Sequence, residues 1–169
     1  MANNHEPLQL SIATVDDVPL LLTLIKDLAE FERLVHEVTA TEAGLRASLF
    51  GDRPAAEAVI ARRGASAVGF TLYFQNYSTF RGRAGVYLED LYVRPEARGQ
   101  GVGKALLLYV ARVAHERGAG RFEWAALDWN ERAIRFYTDL GARPMSDWTV
   151  YRLTADELQQ LVEKNTVAG

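Results

Sequence analysis

Apolar and polar positions alternate from Leu8 to Ala13, the period of a half-buried first strand. Thr14 then precedes Val15-Asp16-Asp17, and Val18, Leu21, Leu22, Ile25 and Leu28 follow at helical spacing. Acidic residues at the start suit the positive end of the helix dipole. Pro19 leaves the first turn open, because it has no N–H to donate. The pattern predicts a second short helix over 41–50 and strands over 58–61 and 67–75, with a turn at Arg63-Gly64. A β-branched and aromatic strand runs from Val86 to Val93. A loop over 94–101 leads into an amphipathic helix over 102–117, stopped by Gly118. The pattern ends with a strand over 122–127, a helix over 130–140 closed by Gly141, a late strand over 148–153 and a helix capped by Thr154.

This order joins a hairpin-rich front half to a βαβ back half. It predicts a mixed α/β fold, a mostly antiparallel twisted sheet with helices on both faces. A doubly wound parallel sheet does not fit, since the front half lacks crossovers. With 169 residues and no repeat or linker, the expectation is one domain, its core about 8–153 and a C-terminal helix about 154–164.

Composition narrows the chemistry. There is no cysteine, so disulfides, thiolate catalysis and cysteine-ligated zinc are excluded. The net charge of −3 gives no basic excess for nucleic acid. Neither a signal-peptide pattern at Met1–Pro7 nor a membrane-length apolar run is present, so a cytoplasmic protein is expected.

The strongest local signal is Arg94-Pro95-Glu96-Ala97-Arg98-Gly99-Gln100-Gly101-Val102-Gly103-Lys104, placed between a strand and a helix. Glycines at 99, 101 and 103 let successive N–H groups face one point, and the helix start adds its own orphan donors. A diphosphate suits such a site. Arg98 and Lys104 add charge. A magnesium-nucleotide loop needs Ser or Thr after the lysine, and here Ala105 follows Lys104. A dinucleotide fingerprint needs glycine where Lys104 stands, although Asp128 mimics its ribose-binding acid. A glycine-rich turn that binds nothing is the plain alternative.

Glu89 and Asp90 interrupt an otherwise apolar strand. Neighbours on a strand face opposite sides, so a central strand would send at least one carboxylate inward, at a cost unless it is paired. An amine must lose a proton before its nitrogen attacks, and a carboxylate can accept that proton. A structural ion pair is the alternative. Tyr137 stands seven residues after Asn130 in the predicted helix, about two turns away. From the residues alone it reads as a packing aromatic.

The loop Arg98-Gly99-Gln100-Gly101-Val102-Gly103, the strand Val86–Val93 and the segment Asn130–Tyr137 followed by Gly141-Ala142 resemble the GCN5-related N-acetyltransferases (GNAT) in order and spacing. The resemblance spans about 10–153. It implies the GNAT fold and acetyl-CoA as cosubstrate, without a metal. It implies that amides of 98–103 hold the coenzyme A diphosphate, with Lys104 beside them. Leu91, Tyr92 and Val93 would offer main-chain groups to the pantetheine arm and acetyl carbonyl, and Asn130 a side-chain contact. Tyr137 would protonate the departing thiolate, while Glu89 or Asp90 accepts the proton of the amine in a ternary complex.

Asp27–Leu34 and Tyr87–Asp90 resemble the diamine acetyltransferase branch, in which Glu32, Glu89 and Asp90 would line the amine cleft. Tyr77–Arg83 and Leu127–Asn130 are similar to the thialysine N-epsilon-acetyltransferases. The loop before the Glu89-Asp90 strand has Ser78 where spermidine/spermine enzymes carry an acid, and its Arg81 and Arg83 are basic. The expected substrate is therefore a lysine-like amino acid, its carboxylate met by an arginine, or a short diamine. The segment Pro144–Asp147 is shorter than in the branch. A homodimer, joined through the C-terminal half and without nucleic-acid or membrane partners, completes the expectation. Alternatives are a protein-lysine acetyltransferase, a non-catalytic coenzyme A-binding regulatory module and a dinucleotide-binding protein.

Overall fold

A computed structural model describes residues 6–165. The chain divides into two compact units, 1–125 and 126–169.

The first unit holds a five-stranded sheet in the order β1-β2-β3-β4-β5. β1 (Leu8–Ile12), β2 (Glu57–Arg63), β3 (Ser66–Ser78) and β4 (Arg83–Val93) pair antiparallel in sequence. β5 (Phe122–Trp124) adds parallel to β4 after the crossover through α3 (Val102–Glu116). The β2–β3 turn falls at Gly64-Ala65, one residue later than the sequence suggests, because Arg63 still pairs with Ser66. Gly64, with φ 54°, takes the left-handed position that the tight hairpin needs.

α1 (Val18–Glu32) starts without conflict over Pro19. The proline sits in the first turn, where no intrahelical N–H is required. A single 3-10 turn, Val15–Asp17, precedes it, and the Thr14 N–H donates to Asp17 Oδ2 at 2.8 Å. α2 (Glu42–Phe50) is capped by Thr41, whose hydroxyl accepts from the Gly44 N–H.

Strand alternation divides the core between the two faces of the sheet. Ile60, Phe70 and Tyr92 pack with Leu21, Leu24 and Leu28 of α1 and Leu49 of α2. Burial of each such side chain contributes about 1.5–3 kcal/mol. On the other face lies α3, which buries Val102, Leu106, Leu107, Val110 and Ala114. There a side chain at Gly69 would stand 3.5 Å from Leu106, and one at Gly103 would stand 3.6 Å from Val93. Helices therefore cover both faces of a mixed sheet. Among the described residues, no helix is long and apolar enough to cross a membrane.

The second unit holds α4 (Glu131–Asp139) and α5 (Ala155–Lys164). Past the C-cap Leu140, Gly141 with φ 91° closes α4, and the Ala142 N–H donates to the Tyr137 carbonyl at 3.1 Å. Thr154 and Glu157 form the capping box of α5.

Two predicted strands need correction. The strand expected over 122–127 stops at Trp124, where its ladder to β4 ends. The late strand expected over 148–153 does not form: those residues are irregular, with Trp148 70%, Val150 85% and Tyr151 91% exposed. Alternation alone makes no strand. A strand needs a neighbouring ladder for its N–H and C=O groups, and this segment has none among the described residues.

Candidate active site

β4 carries a bulge that alternation could not reveal. Leu72 pairs with Asp90 and Tyr73 with Leu88, so Glu89 is an extra residue without a partner on β3. The insertion resets the phase of the strand. Asp90 then stands across from Leu72, which packs against the α1 core, and Tyr92 stands across from Phe70 on that same face. Glu89 is exposed, whereas Asp90 is half-buried. The two acids thus do divide their surroundings, through a bulge rather than through simple alternation.

Glu32, the last residue of α1, brings a third carboxylate to this place. Burial raises its pKa. Asp90 is pushed up to about 7, first by burial and then by the charges of Glu89 and Glu32. Burial disfavours the ionised form and like charges add to the effect. A carboxyl held near neutrality is matched to accepting a proton at neutral pH. The structure therefore brings Glu32, Glu89 and Asp90 within electrostatic reach of one another.

The bulge also coincides with the end of the β4–β5 ladder. The last parallel pair is Leu88 with Trp124. From Glu89 to Val93, β4 has a ladder only on its β3 side among the described residues. The Arg94 N–H donates to Val68 O at 2.9 Å on that side. Alternation then turns the main-chain groups of Leu91 and Val93 to the opposite, open edge. Tyr92, between them, points its main chain at β3 and its buried side chain at the α1 face. Of the three residues expected to offer main-chain contacts, Leu91 is placed to do so, Val93 offers its N–H while its oxygen accepts from Arg98 Nε at 2.9 Å, and Tyr92 serves packing.

The glycine loop follows directly. Gly99 and Gly101 take φ of 77° and 82°, with nothing within 4 Å of where a side chain would begin. Their glycine requirement is conformational, and the space above them is open. Backbone bonds use the Arg98 N–H, donated to Pro95 O at 3.2 Å, and the Ala105 N–H, donated to Gly101 O at 2.9 Å. Between them, the amides of Gly99 and Gln100 lie in the loop and those of Gly101, Val102, Gly103 and Lys104 in the first helical turn, whose N–H groups lack intrahelical partners. Such a row fits a diphosphate.

Three side chains differ from expectation. Arg98 does not reach outward: its Nε donates to Val93 O at 2.9 Å and its guanidinium lies over the Phe31 ring. Gln100 folds back onto Glu96 O at 2.9 Å, leaving Lys104 as the exposed cation of the helix start. Arg81 and Arg83 lie at the hairpin end of β4. Arg83 stands seven positions before Asp90 along the strand, roughly 23 Å at the usual rise. That span far exceeds a lysine side chain. Neither arginine can meet the carboxylate of an amino acid whose amine is held at Asp90 of the same chain.

In the second unit, Asn130 caps α4, its Oδ1 accepting from the Ala133 N–H at 3.2 Å. Its amide nitrogen is left as the donor for any ligand contact. Tyr137 lies in α4 with its ring against Phe136 at 5.2 Å. Asp128 sits in a turn beyond β5, not at a strand end, which removes the feature that resembled a ribose-binding acid.

Sequence reasoning missed Thr71 and gave Phe31 no role. Thr71 is fully buried, and its hydroxyl donates to Asp90 O at 2.8 Å. A threonine within an apolar strand was the visible signal for it. Phe31 adjoins Glu32 in the sequence, but nothing in the pattern points it at Arg98.

The sequence pattern described as the acetyltransferase (GNAT) family matches residues 22–142. The chain is 39% identical over 155 residues to a thialysine N-epsilon-acetyltransferase of Sus scrofa, covering 85% of this chain and 91% of that one. It is 33% identical over 202 residues to an L-ornithine N5-acetyltransferase of Arabidopsis thaliana, covering 93% and 89%. An integron cassette protein from V. cholerae shares the fold with a TM-score of 0.78 at 22% identity, over 92% of this chain and 98% of that one.

Proposed function

Because this chain belongs to the GNAT acetyltransferase family, we propose that it moves an acetyl group from acetyl-CoA to the primary amine of a small molecule. The observation that carries this reading is the open edge of β4. It begins at the Glu89 bulge, runs past Leu91 and Val93, and leads into the glycine loop, with three carboxylates at its start.

When bound, acetyl-CoA supplies a thioester acyl group ready for transfer. The loop amides from Gly99 to Lys104 bind its diphosphate, and Leu91 and Val93 pair with its amide-bearing arm as an added strand would. Glu32 and Glu89 attract the cationic amine. Asp90, held near neutrality, accepts the amine proton directly or through water. Tyr137 donates a proton to the leaving thiolate, a role supported by the resemblance of the α4 motif. The transfer is direct, in a ternary complex that orients the two reactants.

The substrate is a lysine-like amino acid such as thialysine, or a short diamine. Relatives named for thialysine and ornithine support an amino acid. We also propose a homodimer; the exposed apolar segment around Trp148, Val150 and Tyr151 supports self-association, and light scattering tests it. The deciding experiment is an amine panel with acetyl-CoA, read by thiol release, with thialysine, lysine, ornithine, putrescine, spermidine and a lysine peptide. Turnover of thialysine or ornithine at the highest kcat/KM supports the reading. Turnover of the peptide alone replaces it with protein acetylation, and turnover of nothing with a binding module.

A further inference from the structure

The arginine that opens the glycine loop is not aimed as a phosphate ligand. Its Nε donates to the main-chain oxygen of Val93 at 2.9 Å. Its guanidinium carbon lies 4.3 Å from the centre of the Phe31 ring and 5.8 Å from that of Tyr92. Its main-chain N–H closes the turn onto Pro95 O. The partners of its side chain come from two elements, β4 and α1. Val93 ends the open edge of β4, Tyr92 lies in the core beneath, and Phe31 precedes the acid Glu32 at the end of α1.

We infer that Arg98 is a positioning residue that staples the glycine loop to the end of β4 and to the end of α1. The inference rests on the acetyl-transfer reading, since it assigns the work of Arg98 within that site. The physical reason is the shape of the guanidinium. It is planar, remains charged, stacks on an aromatic face and donates in its own plane at the same time. Lysine keeps the charge but cannot do both at once. The staple fixes Val93, whose main chain faces the open edge. It also links the loop to the helix end that carries Glu32. Loss of the staple therefore loosens the pantetheine edge, not just the diphosphate loop.

This separates it from a phosphate ligand. A residue that touched only the diphosphate would matter only for donors that have one. The test compares acetyl-CoA with S-acetylpantetheine, which lacks the diphosphate, in wild type, Arg98→Lys, Phe31→Leu and the double variant. Circular dichroism confirms folding. Phe31→Leu reaches the same staple without altering charge, and it stands alone should Arg98→Lys fail to fold. Each single substitution is expected to lower kcat/KM by about tenfold, and by the same factor for both donors. The double variant is expected to be no worse than the more damaged single one, since both remove one coupled unit. An Arg98→Lys loss seen only with acetyl-CoA overturns the staple in favour of direct phosphate contact. So does an unchanged Phe31→Leu enzyme, or a double variant whose losses multiply. Wild-type turnover of acetyl-CoA tests the acetyl-transfer reading separately, and the ratio of losses between donors tests the staple.

Discussion

The buried hydroxyl of Thr71 donates to the main-chain oxygen of Asp90 at 2.8 Å, beside the bulge that inserts Glu89 into β4. A β-branched residue suits the strand, and its hydroxyl supports the carbonyl where the ladder is broken. Thr71→Val keeps the shape and removes the donor. It should cost about 1–2 kcal/mol in urea unfolding, with m unchanged. Because the bulge aims Asp90, kcat should fall as well. An unchanged kcat in a destabilised variant would confine Thr71 to folding.

Asp90 couples pH to both activity and stability. Its folded pKa, about 7, lies above the ordinary carboxyl value, so it is ionised and able to accept a proton only as pH rises through that value. The kcat/KM profile should climb with an apparent pKa near 7, and Asp90→Asn should remove the climb along with most turnover. The sign for stability is opposite. The unfolded chain releases the proton at a lower pH than the folded one, so the stability associated with the neutral carboxyl is lost as pH rises from the unfolded value through about 7. Asp90→Asn should therefore be more stable than wild type at pH 8, by roughly 4 °C in Tm, with the gain shrinking towards pH 4. Equal gains at both pH values would contradict the buried-carboxyl account.

Glu32 and Glu89 act on Asp90 through their charge. Glu89→Gln or Glu32→Gln removes a neighbour that raises the pKa of Asp90, so the rising limb of the profile should move to lower pH in each variant. The KM for a cationic amine should increase severalfold. A limb that stays in place would mean another group limits the profile.

Within the glycine loop, Gly101 and Gly103 should respond differently. Gly101 has φ 82°, and alanine there is strained by about 1–2 kcal/mol. Gly101→Ala should weaken coenzyme A binding in calorimetry by about tenfold. At Gly103, in the first turn of α3, a new methyl meets Val93 Cγ2 at an ordinary 3.6 Å. Gly103→Ala should keep binding within about twofold, and better helix propensity should offset any loss. Equal damage at both sites would remove the conformational explanation.

Tyr137→Phe should lower turnover at least about tenfold, with little change in acetyl-CoA affinity, where chemistry limits the rate. A poor leaving thiol should suffer more than a good one. Loss of affinity without loss of turnover would make the phenol a binding contact.

Much of this protein was legible from local pattern. The apolar spacing of α1 and α3, the glycines of the loop and the acids in β4 depend on neighbours a few residues apart, and the period of the backbone exposes them. The same spacing carried the family resemblance. The tertiary structure alone decided how Glu89 and Asp90 differ, because a bulge is a property of two paired strands and only the β3 register creates it. It alone moved Arg81 and Arg83 away from the acids, turned Arg98 onto Phe31 and Val93, and left 148–153 without a ladder. Each of these outcomes rests on contacts with another element, and a one-dimensional pattern records the period of a segment but not what faces it.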